Sequence, residues 1–114
     1  MRNKRTIGSR YEDMAAAYLS KQGVTVLTRN YRSATGEIDL IGKEGEILLF
    51  VEVKGRYTTR MGDPGEAVTP QKQRTIRQVA LWYMMKMGLP EETPCRFDVV
   101  TILGENIQWI KNAF

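Results

Sequence analysis

At 114 residues, 42% hydrophobic and 26% charged, the chain has the make-up of one soluble globular domain; no apolar run approaches the ~20 residues a membrane helix needs. It has no histidine and a single cysteine, Cys95, which excludes Ser-His and Cys-His triads, histidine or multi-cysteine zinc sites, and a disulfide framework. The net charge of +4, with a pI near 9.4, favours a polyanionic partner, nucleic acid or acidic lipid.

Residues 1–7 read as a basic arm, and the single domain spans 1–114. The arm lacks a signal peptide's apolar stretch, which with the lone cysteine predicts a reducing, cytoplasmic location. Residues 9–22 read as a helix with Tyr11, Ala15, Tyr18 and Leu19 on one face and Gly23 to stop it. A strand at 24–32 is followed by strands at 36–42 and 46–54, joined as a hairpin by Lys43-Glu44-Gly45. The run from Ile47 to Val53 is apolar on both faces, which places it in the centre of the sheet. Residues 55–68, rich in charge and glycine, read as a loop long enough to suggest function. Thr69 can cap a helix that starts with Pro70 and runs through 71–87, with Ile76, Val79, Ala80, Tyr83 and Met87 on one stripe. Two closing strands, 96–103 and 106–111, flank a Gly104-Glu105 turn. One hydrophobic core is expected.

The acidic residues are the most informative. Gly36-Glu37-Ile38-Asp39-Leu40-Ile41 and Leu49-Phe50-Val51-Glu52-Val53-Lys54 embed carboxylates in apolar strands. Such groups are costly to bury unpaired, and Lys54 alone is too little positive charge for three of them. Register counted across the short turn sets Glu37 opposite Glu52 and Asp39 opposite Phe50, with Lys54 on the same face. Like charges opposed in this way destabilise a sheet unless a cation joins them. Without histidine the ligands are oxygen donors, suited to Mg²⁺ or Mn²⁺, so a metal-dependent phosphodiesterase site is the sharpest explanation. The plainer alternative is a Glu52–Lys54 ion pair with Glu37 and Asp39 left in water.

Other candidates have two readings. Ser9-Arg10-Tyr11-Glu12 has the spacing of a capping box, yet Glu12 borders the Ala15–Leu19 stripe and can look towards the sheet. Lys72 is in line with Ile76, Val79 and Tyr83 at a helix's first turn. Its stem either snorkels to solvent or carries the ammonium to the carboxylates or to a phosphate. Arg29, Arg32, Arg56, Arg60, Arg74 and Arg77 form either a solvated surface or a phosphate-binding rim. Asp98 reads as the partner of a nearby arginine, and Trp82 and Trp109 as core or interface residues.

A helix glutamate, a strand aspartate, Glu-x-Lys on the next strand and a following helix together resemble the core of PD-(D/E)xK nucleases. A longer match comprises Gly8, Glu12, Ala17-Tyr18-Leu19, Asn30-Tyr31-Arg32, GEIDLI at 36–41, FVEVKGR at 50–56, Lys72 and Arg96-Phe97-Asp98. It resembles the YraN family of uncharacterised bacterial proteins, itself similar to archaeal Holliday-junction resolvases. The resemblance implies an α/β, restriction-endonuclease-like core: helix, three strands, helix and closing strands, with a mixed sheet flanked by helices. It implies an Mg²⁺- or Mn²⁺-dependent endonuclease acting on DNA, with junctions among its substrates. Asp39, Glu52 and the Val53 carbonyl would hold the metal, Lys54 would be the catalytic lysine and Glu12 the first-helix glutamate. Lys72, Arg32, Arg56 and Arg60 would hold flanking phosphates. A homodimer is expected by the same resemblance, with Trp109, Ile110 and Phe114 offering apolar contact. Ile38 stands where the superfamily is named for proline. The rival reading is a non-catalytic nucleic-acid-binding or assembly protein that keeps the nuclease scaffold; RNA processing is a third.

Overall fold

The computed structural model describes residues 4–56 and 68–114, with side chains for 10–55 and 68–114. Its elements are α1 (Lys4–Lys21), β1 (Thr25–Ser33), β2 (Gly36–Glu44), β3 (Ile47–Arg56), α2 (Pro70–Lys86), β4 (Cys95–Leu103) and β5 (Asn106–Ile110). The strands make a five-stranded sheet in the order β1-β2-β3-β4-β5. Neighbours are antiparallel except β3 and β4, which run parallel. A parallel pair needs a crossover, and α2 provides it. This is the mixed α/β architecture expected of a restriction-endonuclease-like core, with β3 at its centre.

The apolar residues segregate by sheet face into two clusters rather than the one core expected. Ile38, Ile41, Leu48, Phe50 and Val99 pack under Ile76, Val79 and Tyr83 of α2. On the opposite face Leu40, Leu49, Val51, Val100 and Ile102 pack under Ala15 and Leu19 of α1. Burying both faces of β3 is what its unbroken apolar run demands.

Several boundaries differ from the sequence reading. Helix α1 begins at Lys4, not residue 9, so part of the expected basic arm is helical. Gly8 lowers helix propensity by only about 1 kcal/mol, and its neighbours carry the helix through it. Ser9 is therefore an interior residue, and the capping-box reading falls. The hairpin closes around Gly45 and Glu46, with Gly45 at φ 60°, the backbone a tight hairpin turn prefers. The strands run on to pair Glu44 with Ile47 and Leu40 with Val51, a two-residue shift from the expected register.

Helix α2 starts as read. Thr69 accepts a hydrogen bond from the Lys72 amide at 3.1 Å, and Pro70 opens the first turn. The C-terminal aromatics are used within the chain: Trp109 stands edge-on to Tyr18, and Phe114 stacks on Phe97. Exposed large apolar side chains instead include Leu81, Trp82 and Met85 on the outer side of α2. Among the described residues no helix is long and apolar enough to cross a membrane.

Candidate active site

The site is built where two strands change face together. Residues two apart normally share a side of a sheet. Here Arg29 reaches Asp13 on α1 at 2.5 Å, whereas Tyr31 stacks edge-on against Tyr83 of α2. In the paired strand Leu40 packs under α1 and Ile38 under α2. The break falls at Asn30 in β1 and at Asp39, which faces it between the pairs Arg29–Leu40 and Tyr31–Ile38. Asn30 has φ 53°, a left-handed conformation uncommon outside glycine.

The β2–β3 pairing ends at Leu40–Val51, so Asp39 is the first residue beyond it. Its carboxylate takes the place of a ladder partner: the Val53 amide donates to Asp39 Oδ2 at 2.8 Å. A strand residue's N–H and C=O point to the same edge, so the Val53 carbonyl is aimed the same way. Glu52, 4% exposed, lies on the α2 face with Phe50 and hydrogen-bonds the Asp39 carboxyl. Burial, then the charge of Glu52, pushes the Asp39 carboxyl up to about 8. The Val53 amide opposes that rise without cancelling it.

Among the described residues, positive charge around Glu52 comes from two lysines. Lys72 Nζ lies 3.4 Å and Lys54 Nζ 4.0 Å from Glu52 Oε2. Lys72 thus follows the reading in which its ammonium reaches the carboxylates, its stem coming from the first turn of α2. Both lysines remain partly exposed, which limits their neutralising effect through solvent screening.

The α1 face supplies the remaining acids. The Tyr11 ring lies directly on Gly55, where any Cβ would collide with it, and this close approach lays α1 across the end of β3. Glu12, the next residue, is half-buried and presents a carboxylate oxygen within 4.8 Å of oxygens on both Glu37 and Asp39. Burial, then Asp39, raises its pKa, while a side-chain hydrogen bond from Asn30 lowers it. Glu37 is on the α1 side, not on the face of Glu52 as expected, because the switch at Asp39 separates them. Asp39 is the hinge of the arrangement, touching Glu52 from one face and Glu12 from the other. Its donor set is all oxygen, fits a hard divalent ion, and includes a backbone carbonyl at a break in the ladder.

Arg32 Nε pairs with Glu37 at 2.6 Å, so this cation stands at the acidic rim. Arg60 and the basic segment around it lie outside the described residues, and Arg56 closes β3 with its side chain outside them. Asp98 is fully buried and bound by Arg96, as read, but also by Trp109 and Asn112. The residue that sequence reasoning missed is Asn30. Its signals are an asparagine inside a strand, a residue type depleted there, and its place in the Asn30-Tyr31-Arg32 segment of the family match.

The model of the uncharacterised protein family UPF0102 matches residues 11–102. The chain belongs to the UPF0102 family. A UPF0102 protein of Lachnoclostridium phytofermentans is 53% identical over 98% of this chain and 95% of its own length. Another from Aliivibrio fischeri strain MJ11 is 48% identical over 97% and 93%. One from Klebsiella pneumoniae is 44% identical over 94% and 84%. The matched segment of this UPF0102 protein contains Glu12, Glu37, Asp39, Glu52, Lys54 and Lys72, and therefore the whole carboxylate centre.

Proposed function

We propose that this UPF0102 protein is an Mg²⁺- or Mn²⁺-dependent endonuclease that hydrolyses DNA phosphodiesters, with branched DNA as its first substrate class to examine. The observation that carries the reading is the abutment of the Asp39 and Glu52 carboxyls beside the free edge of Val53. Two acids in hydrogen-bond contact are an unfavourable resting arrangement that a divalent cation converts to coordination. Asp39, Glu52 and the Val53 carbonyl would hold the ion. Bound there, it supplies a Lewis acid at the phosphate and lowers the pKa of an attacking water.

The chain's own groups do the rest. Lys54 and Lys72, with ammonium groups 4.0 Å and 3.4 Å from Glu52, would stand beside a phosphate bound at this centre. Lys54, two residues beyond Glu52 on the same strand face, is suited to orient the water or to meet negative charge developing on the phosphoryl oxygens. Lys72 and the first turn of α2 favour a flanking phosphate, and Arg32 adds a cation at the acidic rim. Glu12, with its pKa raised, borders Asp39 and can accept or return a proton. The resemblance to PD-(D/E)xK nucleases supports the same assignment.

The test is cleavage of labelled four-way junction, flap, single-stranded and linear duplex DNA with Mg²⁺ or Mn²⁺. Asp39→Asn and Glu52→Gln should each lower cleavage at least a hundredfold while DNA binding is kept. Salt-sensitive DNA binding without cutting, equal in all three proteins, would instead identify a non-catalytic binding module.

A further inference from the structure

We infer that Asn30 is a positioning residue for the carboxylate centre, its left-handed backbone aiming Asp39 and its side-chain amide holding Glu12. The inference rests on the proposed metal-dependent reading for its purpose, but its geometry stands apart from any ion. Asn30 is exposed and lies within a strand, two circumstances that give no packing reason for its φ of 53°. Left-handed backbone disfavours most side chains and is tolerated best by glycine and asparagine.

The position of this one residue explains three features together. Arg29 and Tyr31, on either side of it, face opposite helices. Leu40 and Ile38, on either side of the facing Asp39, do the same. The β2–β3 ladder ends at the same level, leaving the Val53 amide to Asp39 Oδ2 at 2.8 Å. A regular pleat would send Asp39 to one face, where it could meet Glu52 or Glu12 but not both. With the pleat broken it meets both. The Asn30 amide also acts on the Glu12 carboxylate, lowering its pKa against the rise that burial causes, and so joins α1 to the hinge. Asparagine suits both tasks, since glycine has no amide and glutamine resists the backbone conformation.

Two substitutions separate the tasks. Asn30→Gly keeps access to positive φ and removes the amide, whereas Asn30→Ala opposes both. Hydrogen exchange of the Val53 amide reads the backbone task without any ion, and Mn²⁺ affinity by calorimetry reads the assembled centre. Asn30→Ala should speed Val53 exchange at least tenfold relative to Val51 and weaken Mn²⁺ binding about tenfold. Asn30→Gly should return Val53 exchange to within threefold of wild type while Mn²⁺ binding stays several-fold weak. If Asn30→Ala fails to fold, the Asn30→Gly arm decides alone. Wild-type Mn²⁺ affinity in Asn30→Gly, or unchanged Val53 exchange in a folded Asn30→Ala, overturns the inference. Absence of Mn²⁺ binding by the wild type defeats the metal reading and the assembly task with it, and Val53 exchange still decides the backbone task.

Discussion

Asp39 and Asp98 are two aspartates in the same sheet with opposite solutions to enclosure. Asp98, 0% exposed, receives Arg96 Nε and a second guanidinium nitrogen at 2.8 Å each, the Trp109 indole N–H at 2.8 Å and the Asn112 amide at 2.9 Å. The guanidinium also bonds Glu44 at 3.0 Å, and its hydrogen bond to Asp98 raises the Arg96 pKa. Among the described residues, Asp39 receives one backbone amide and faces Glu52, Glu37 and Glu12. A left-handed asparagine adjoins each: Asn112 turns its amide onto Asp98, and Asn30 breaks the pleat opposite Asp39. The difference separates a carboxylate that completes the fold from one the fold leaves in need of charge. Enclosure alone therefore does not distinguish the two acids; the supply of donors does.

The sharpest way to break this comparison is to neutralise each aspartate in turn. Asp98→Asn leaves a guanidinium without its carboxylate and turns an NH₂ towards donors, which should cost about 3–5 kcal/mol in urea unfolding. Asp39→Asn keeps an oxygen for the Val53 amide and removes a repulsion, so at pH 8 without added metal it should be at least as stable as wild type. Equal destabilisation by both substitutions would erase the distinction between them.

The comparison is sharpened by pH. Asp39 has its folded pKa raised to about 8 from an ordinary 3.8. Its proton therefore favours the folded state: the contribution is fully present below about pH 4 and is lost as pH rises through about 8. With no divalent ion added, wild type should lose about 3–4 kcal/mol relative to Asp39→Asn between pH 5 and 8, on a scale of about 1.4 kcal/mol per unit. Parallel stability profiles for the two proteins would show that Asp39 is ionised throughout and adequately paired.

Much of this was legible from residue pattern. The strand that becomes β1, the apolar run of β3, the Thr69-Pro70 helix start and the Gly104 turn are local signals, and each appears where its chemistry requires it. Glu12, Asp39, Glu52, Lys54 and Lys72 were gathered into one group by the resemblance to nucleases, while strand and helix periods set only the faces of Glu52, Lys54 and Lys72. The two-residue register shift was not legible, since it depends on whether Gly45 opens or closes the turn. Nor was the displacement of Glu37 from the face of Glu52. A period-two rule cannot contain a left-handed residue in mid-strand, and Asn30 acts through strand pairing that no single stretch of sequence encodes. The saturation of Asp98 was half visible: Arg96 is two residues away, but Trp109 and the Asn112 amide reach it only when β5 folds back on β4.

That fold-back gives the smallest test of the contrast. Trp109→Phe keeps the ring's contact with Tyr18 and removes a single donor from Asp98. Hydrogen bonds to charged acceptors are worth about 1.5–3 kcal/mol, but three donors remain to compensate. The expected loss is about 1–2 kcal/mol, with a small added part from Lys111, which sits 4.4 Å over the indole and is drawn less to phenylalanine. The same substitution should leave DNA cleavage and Mn²⁺ affinity unchanged, because among the described residues Asp98 shares no hydrogen-bond partner with Asp39. Stability and site function would then be separable within one sheet. A parallel fall in both would mean that the saturated aspartate also holds the unsaturated one in place, through the β3–β4 pairing of Val51 with Asp98.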